Sequence, residues 1–558
     1  NTLHVFAHIH VISSSPSGIG SSMSRHRVVA GLALAIVVPL VSAYLVANAS
    51  AAALSDNEQS LNFFSLSGIA NAFRAFWDIV GPGGKLHPAY FLEHKGHLLI
   101  EGALILVIVY LALQHSFKVR RHAEEPLTEK EIDQLCKEWS PEPLVPSTAG
   151  ELAPPESHVI TGLEGPYVYL KGRKEKVINV ASSNYLNMAN NKENKIESIE
   201  TVNTYGVGSC GPRGFYGTID KHLDLEKELA DFYDTEAAII YSYDVATIAS
   251  IIPAFANRKD IIIYDECCSY PIQTGCTVSR ARVALFKHND MDDLTRIIEN
   301  FEAEEKAKNK PLCRKLIVVE GIYSNYGDMA QLKSIWEIKD KYKYRLMVDE
   351  SHAFGVLGAT GRGACEHFGL KPGQVEIIAA SMSHAMGSVG GFCVGDRDIV
   401  EHQRLSGSGY CFSASLPPYL AVASSHMLRL LRPDKSGNSP GKELMALLQK
   451  RVRALRDQLK GIPGLKLFGG AALPSPVLHM HLAKSSGDAV EDQETMYRIA
   501  DHVLVNGGVL VGVSQYSKLD IRRPPPSLVI YATVALGEKE ILTVVGALRK
   551  AVRDVIKA

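Results

Sequence analysis

The sequence predicts an α/β protein on a mainly parallel sheet, with a smaller C-terminal α/β unit and apolar, membrane-like segments near the N-terminus. Three observations carry this. From about residue 156, short β-branched runs alternate with polar amphipathic stretches, the pattern of a sheet covered by helices on both faces. From about 421 the alternation continues in a shorter unit: a long amphipathic helix (441–460), the strand-like LVIYATVAL (528–536) and a closing helix. Two charge-poor apolar segments precede residue 122.

The elements follow in chain order. Residues 1–27 form an N-terminal extension without assigned function; Met23 is a candidate start. Val28 to Leu54 carries no charge and follows Arg25, His26 and Arg27. It is long enough to cross a bilayer, which takes about 20 residues, and its small-residue end also fits a cleaved signal segment. LLIEGALILVIVYLAL (98–113) marks a second span, set at 97–114. Its one acid, Glu101, lies near an end, and Lys118, Arg120 and Arg121 follow. Basic flanks stay cytoplasmic, so the main domain is expected to face the cytosol. Residues 115–155 read as a linker. Leu127, Ile132, Leu135, Cys136 and Trp139 share one helical face, which suits a membrane surface or packing on the chain's own domain. SPEPLVPSTAGELAPP (140–155) has five prolines and reads as an extended tether.

A large domain is expected over 156–420 and a small one over 421–558. AAIIYS (237–242), DIIIYD (260–265), KLIVVEGIY (315–323), YRLMVDE (344–350) and VEIIAAS (375–381) read as buried strands. DMDDLTRIIENFEAEEKA (290–307) reads as a helix between them. Ligands in such sheets bind beyond the carboxyl ends of strands, which places Asp349, Glu350 and His352 near a site. The 59 basic and 60 acidic side chains balance, which argues against a nucleic-acid partner. Nine scattered cysteines without a CxxC pair argue against a zinc site, and no metal is expected.

Gly206, Gly208 and Gly211 match GxGxxG. A dinucleotide turn needs a strand before it, and the charged NKENKIESIETVNTY that precedes is helix-like. The longer stretch YGVGSCGPRGFYGTIDKHLDLEKELADFY (205–233) is more specific. With SSNYLNM (182–188, expected as an opening strand), RARVALFKHNDMDDL (280–294), VDESHAFGVLGATGRG (348–363), GSVGGFCVGD (387–396) and FSASLPP (412–418), it resembles the α-oxoamine synthases. EWSPEPLVP (138–146), HQRLSGSGYCFSASLPP (402–418) and RRPPPS (522–527) are similar to the long-chain-base subunits of the serine palmitoyltransferase branch. The resemblance covers roughly residues 95–558. It implies a fold-type I, aminotransferase-like transferase dependent on pyridoxal phosphate (PLP).

That chemistry begins at a lysine amine, which forms a Schiff base with the cofactor. By the resemblance, the lysine position is His384 in SMSHAMGSVGG (381–391), and imidazole cannot form a stable imine. The cofactor-stacking histidine falls at Ser269. The phosphate-turn glycine falls at Asp244, whose charge would repel a phosphate. The substrate-carboxylate arginine falls at Val529, which removes a bidentate pair. Asp349, expected at the pyridine nitrogen, and His352, expected by the ring oxygen, are retained cofactor-binding positions with a structural role as the alternative.

The resemblance therefore implies a chain without its own catalytic residue. Family enzymes are dimers with active sites at the subunit interface. PLP is expected to be held by the complex, on a lysine-bearing catalytic partner. Gly208, Cys210, Arg213 and Ser413 are expected at the shared face, although Ala414 stands where a threonine usually contacts the partner's phosphate. Cys210 is expected to be unreactive, with Arg213 as the sole nearby cation. The implied reaction joins L-serine and palmitoyl-CoA at the endoplasmic reticulum membrane, in a heterodimer or larger assembly. Two other readings stay open: an autonomous acyltransferase using His384 non-covalently, and a scaffold for small membrane regulators of sphingolipid synthesis.

Overall fold

The computed structural model describes residues 104, 128–141, 143–144, 157–308, 311–433, 437–469, 473–516 and 520–556. The chain divides into two units, Asn1–Val145 and Pro146–Ala558. Segments 28–54 and 97–114 lie outside the described residues, apart from Leu104. Among the described residues, no helix is long and apolar enough to cross a membrane.

The second unit is built on seven strands: β1 (Ala237–Tyr241), β2 (Ile261–Asp265), β3 (Arg282–Phe286), β4 (Lys315–Glu320), β5 (Arg345–Asp349), β6 (Ile377–Ser381) and β7 (Gly391–Gly395). Their order across the sheet is β1-β7-β6-β5-β4-β2-β3. Five neighbours from β3 to β6 run parallel, while β7 runs antiparallel to both β1 and β6. Every residue of β2 and β6 is buried. Strands covered on both faces need continuous apolar, β-branched sequence, and IIIYD and IIAAS supply it.

Helices fill the crossovers. Met291–Ala307 is capped by Asp290, whose side chain accepts from the Asp293 N–H. Lys192–Tyr205 is a helix leading into GVGSCG, so the glycines follow a helix and not a strand. That geometry lacks the strand a dinucleotide turn requires.

SSNYLNM corrects one expectation. The strand here is Val177–Asn179; residues 182–187 carry no strand, with a turn at Tyr185 and Leu186, and a short 3-10 helix begins at Met188. Two serines and two asparagines hydrogen-bond locally and favour such turns.

Two four-stranded sheets complete the unit. One joins Ile160–Glu164, Tyr167–Leu170 and Val177–Asn179 to Val509–Leu510 from far along the chain. The other joins Leu465–Leu467, Val477–Leu482, Ser527–Tyr531 and Gly512–Val513. Helices Pro440–Leu459, Ala489–Gly507 and Glu538–Ile556 accompany them. A continuous apolar cluster runs from the central sheet into these helices, including Ile263, Val348, Leu455, Val503 and Leu548.

Candidate functional site

Three acids end adjacent parallel strands on one edge of the sheet: Asp265 on β2, Glu320 on β4 and Asp349 on β5. Glu320 and Asp349 are paired in register and both are buried. Glu320 accepts from the backbone N–H groups of Ser269 and, at 2.8 Å, Ser324. Asp349 accepts from the Ser351 N–H at 2.9 Å and from its hydroxyl. Burial raises the pKa of Glu320, and the Asp349 charge raises it further. Burial likewise raises Asp349; the Ser351 bonds oppose this and the Asp244 charge adds to it. Two adjacent carboxyls in a dry site cannot both ionise cheaply.

His352 and His384, far apart in sequence, meet in space. Their rings stack at 4.1 Å between centroids with 23° between planes. Nδ1 of His352 lies 2.6 Å from the Tyr185 hydroxyl. Nδ1 of His384 lies 2.7 Å from the Ser183 hydroxyl. Burial pushes His384 down to about 4. It holds His352 well below the usual range, with His384 and His479 adding to the effect. The result is a neutral imidazole pair, held by one hydroxyl each.

Asp244 lies in the first turn of the helix Asp244–Phe255. A helix N-terminus favours negative charge, and here the side chain itself supplies it. Burial raises its pKa, while hydrogen bonds from Ser383, Ser381 and the Gly390 N–H act in the opposite direction. Ser269 caps the helix Tyr270–Ser279 without a ring to offer. Val529 is buried on Ser527–Tyr531 and paired with His479.

This residue set does not fit covalently held PLP. No primary amine stands at His384, an acid occupies the helix terminus a phosphate would use, and the stacking ring and substrate arginine are absent. Asp349 and His352, the expected cofactor positions, are engaged with Ser351 and Tyr185.

The glycine-rich loop and FSASLPP are joined within the chain. The Ser415 N–H and Oγ both donate to the Gly211 carbonyl, at 2.9 and 2.8 Å. A Cβ on Gly217 would lie 1.8 Å from that carbonyl oxygen, so only glycine fits. His222 locks the base, with Nε2 2.6 Å from the Leu416 carbonyl. Gly208 and Cys210 are exposed, and Cys210 holds φ +59°. Ser413 is half-buried and donates to the Gly409 carbonyl.

Arg213 is placed differently from the other three. Its guanidinium is buried and bidentate to Glu226 at 2.9 and 3.0 Å. Glu226 also accepts from Arg404 at 3.2 Å and from the Ile240 N–H at 3.2 Å. The arginine therefore ties the loop to β1 and is not a free cation for Cys210. On the glycine-rich loop and FSASLPP, Phe215, Tyr216 and Phe412 are 75%, 92% and 88% exposed. Three large aromatic rings are thus left in water on two linked loops.

Ser183, Tyr185, Glu320 and His288 had no assigned role from sequence. Ser183 and Tyr185 sit in SSNYLNM, where a tyrosine in a polar turn was the available signal. His288 lies between Asp265 and Asp328, with Nδ1 2.9 Å from the first and Nε2 2.8 Å from the second. Burial opposes its charge, but bonds to Asp265, Asp328 and Cys267 outweigh that and lift its pKa to about 12. Asp265, Cys267 and His288 stand close enough to share an ion. Both ring nitrogens are already engaged, so the arrangement is a charged clamp between β2 and the loop bearing Asp328.

Residues 175–513 match the family Aminotransferase class I and II, and that match with the strand order defines a fold-type I, PLP-dependent transferase scaffold. Long chain base biosynthesis protein 1c of Oryza sativa subsp. japonica is 40% identical over 461 residues, covering 83% of this chain and 92% of that protein. Serine palmitoyltransferase 1 of Dictyostelium discoideum is 39% identical over 468 residues, covering 83% and 95%. A serine palmitoyltransferase from S. paucimobilis with bound PLP-myriocin aldimine superposes with a TM-score of 0.64 at 27% identity, covering 77% of this chain and 97% of that one. The chain belongs to the serine palmitoyltransferase 1, or long chain base biosynthesis protein 1, family.

Proposed function

We propose that this chain is the non-catalytic, membrane-anchored subunit of a serine palmitoyltransferase complex at the endoplasmic reticulum, its main domain facing the cytosol. The complex condenses L-serine with palmitoyl-CoA to 3-oxosphinganine, releasing carbon dioxide and CoA. A lysine-bearing partner holds PLP, which supplies the electron sink. The observation that carries the reading is His384, a half-buried imidazole held neutral by desolvation, at the position where covalent attachment needs an amine.

What this chain contributes is a wall. The loops carrying Phe215, Tyr216 and Phe412 offer apolar area to a partner. Gly208, Cys210 and Ser413 ride on the same two loops and would line the shared cleft. The anchoring part of the reading is supported by the apolar segments 28–54 and 97–114 and the basic Lys118, Arg120 and Arg121.

The test is co-expression with a lysine-bearing homologue, borohydride reduction, and mapping of the pyridoxyl label. The label is expected on the partner's lysine alone, with turnover only when both chains are present. A pyridoxyl adduct on a lysine of this chain, or turnover by this chain alone, overturns the proposal.

A further inference from the structure

The helix Glu129–Glu138 is formed with no buried residue. Its N-terminus is well made: Thr128 and Glu131 form a reciprocal capping box, and the Thr128 N–H donates to Glu131 at 2.8 Å. Gln134 donates to Glu138 at 2.8 Å. Caps alone do not hold a helix of this length, because isolated helices under about 12 residues are marginal in water. Something must cover its apolar side.

That side is narrow and continuous. Ile132, Leu135, Cys136 and Trp139 fall at i, i+3, i+4 and i+7, a stripe about 100° wide. All four are exposed, Trp139 by 73%. Charged residues take the rest of the circumference: Glu129, Lys130, Glu131, Asp133, Lys137 and Glu138.

We infer that this stripe lies flat on the lipid surface beside the membrane segment. Residues 114–127 separate the helix from the apolar segment ending at Leu113. Fourteen residues reach at most about 50 Å when fully extended. A helix tethered that closely to a bilayer meets the lipid at high effective concentration, so a modest apolar face suffices. A tryptophan at the helix end suits the headgroup region, where its ring is half in hydrocarbon and half wet. The charged arc carries four acids and two bases, so the surface it meets is zwitterionic and not strongly anionic. Five prolines follow Trp139 in the sequence by residue 155.

The inference rests on the anchoring reading above, and the test separates the two. The sequence has three tryptophans, Trp77, Trp139 and Trp336. The full chain carrying Trp77→Phe and Trp336→Phe is reconstituted into phosphatidylcholine vesicles, with lipids brominated at shallow acyl positions as quenchers. Trp139 emission is expected to fall at least two-fold with brominated lipid. Adding Ile132→Asp and Leu135→Asp is expected to abolish that quenching while the chain still floats with the vesicles. A vesicle-bound chain whose Trp139 is quenched by aqueous iodide and not by bromine overturns the inference and leaves anchoring intact. Trp139 shielded from both quenchers assigns the stripe to a protein contact and also overturns it. A chain that does not float at all removes the anchoring reading and this inference with it.

Discussion

At His384 the chemistry that is missing is that of a primary amine, not that of a neutral nitrogen. A lysine amine is a nucleophile once neutral; a desolvated imidazole is neutral and still cannot make the imine. Its ring is pushed down to about 4 by burial, below the ordinary value of about 6.5 for an unfolded chain. Between those values the folded chain holds fewer protons than the unfolded one. The stability tied to the neutral ring is therefore full above about pH 6.5 and is lost as pH falls toward about 4. This ring alone should take about 2 kcal/mol from the chain between about pH 7 and about pH 5. His384→Phe keeps a ring against His352 and removes the titration. It should cost about 1 kcal/mol at neutral pH, for the lost Ser183 bond, and lose less than the parent on acidification. Urea unfolding across that range checks this; parallel pH curves for the two proteins would refute it. The four substituted positions, His384, Ser269, Asp244 and Val529, were legible in sequence because each sits inside a motif. The Ser183 and Tyr185 partners were not, since nothing local shows that residue 183 meets 384 or that 185 meets 352.

The elements most visible in sequence were the fully buried parallel strands, because burial on both faces leaves only apolar, β-branched residues. β3 and β7 were harder. RVALF is only partly buried and GFCVG carries two glycines, so neither reads as a strong strand; both need the neighbouring strands to define them. The pairing of Val177–Asn179 with Val509–Leu510 joins chain ends that no local pattern links. The linked loops give the clearest element-level prediction. Gly217→Ala places a methyl 1.8 Å from the Gly211 oxygen and 2.2 Å from Ser415 Oγ. Backbone atoms cannot yield cheaply there, so the substitution should destabilise by about 3 kcal/mol or more and part the two loops. Ser415→Ala removes one hydroxyl bond and should cost about 1 kcal/mol. Limited proteolysis should cut the Gly217→Ala protein in both loops and the Ser415→Ala protein little more than the parent. Equal resistance of all three would mean that the loops do not depend on this contact.

Across the whole molecule, the exposed aromatics set the argument, because the interior is already closed. Phe215, Tyr216 and Phe412 add nothing to the isolated chain's core, so replacing them should barely change its stability, within about 0.5 kcal/mol. In a complex they would become central anchors, and aromatic anchors typically carry about 2 kcal/mol or more each. Phe215→Ser with Tyr216→Ser should therefore leave the unfolding midpoint of the lone chain in place and weaken assembly with a lysine-bearing homologue by about 700-fold, two anchors of about 2 kcal/mol each. Leu542→Ser, at a similarly exposed site on the closing helix, should leave assembly unchanged. Co-purification and sedimentation of the mixed chains measure this, and turnover should fall in step with the fraction assembled. If the double variant assembled as tightly as the parent, the catalytic chain would have to meet another surface, and the glycine-rich loop would no longer be a wall of its active site.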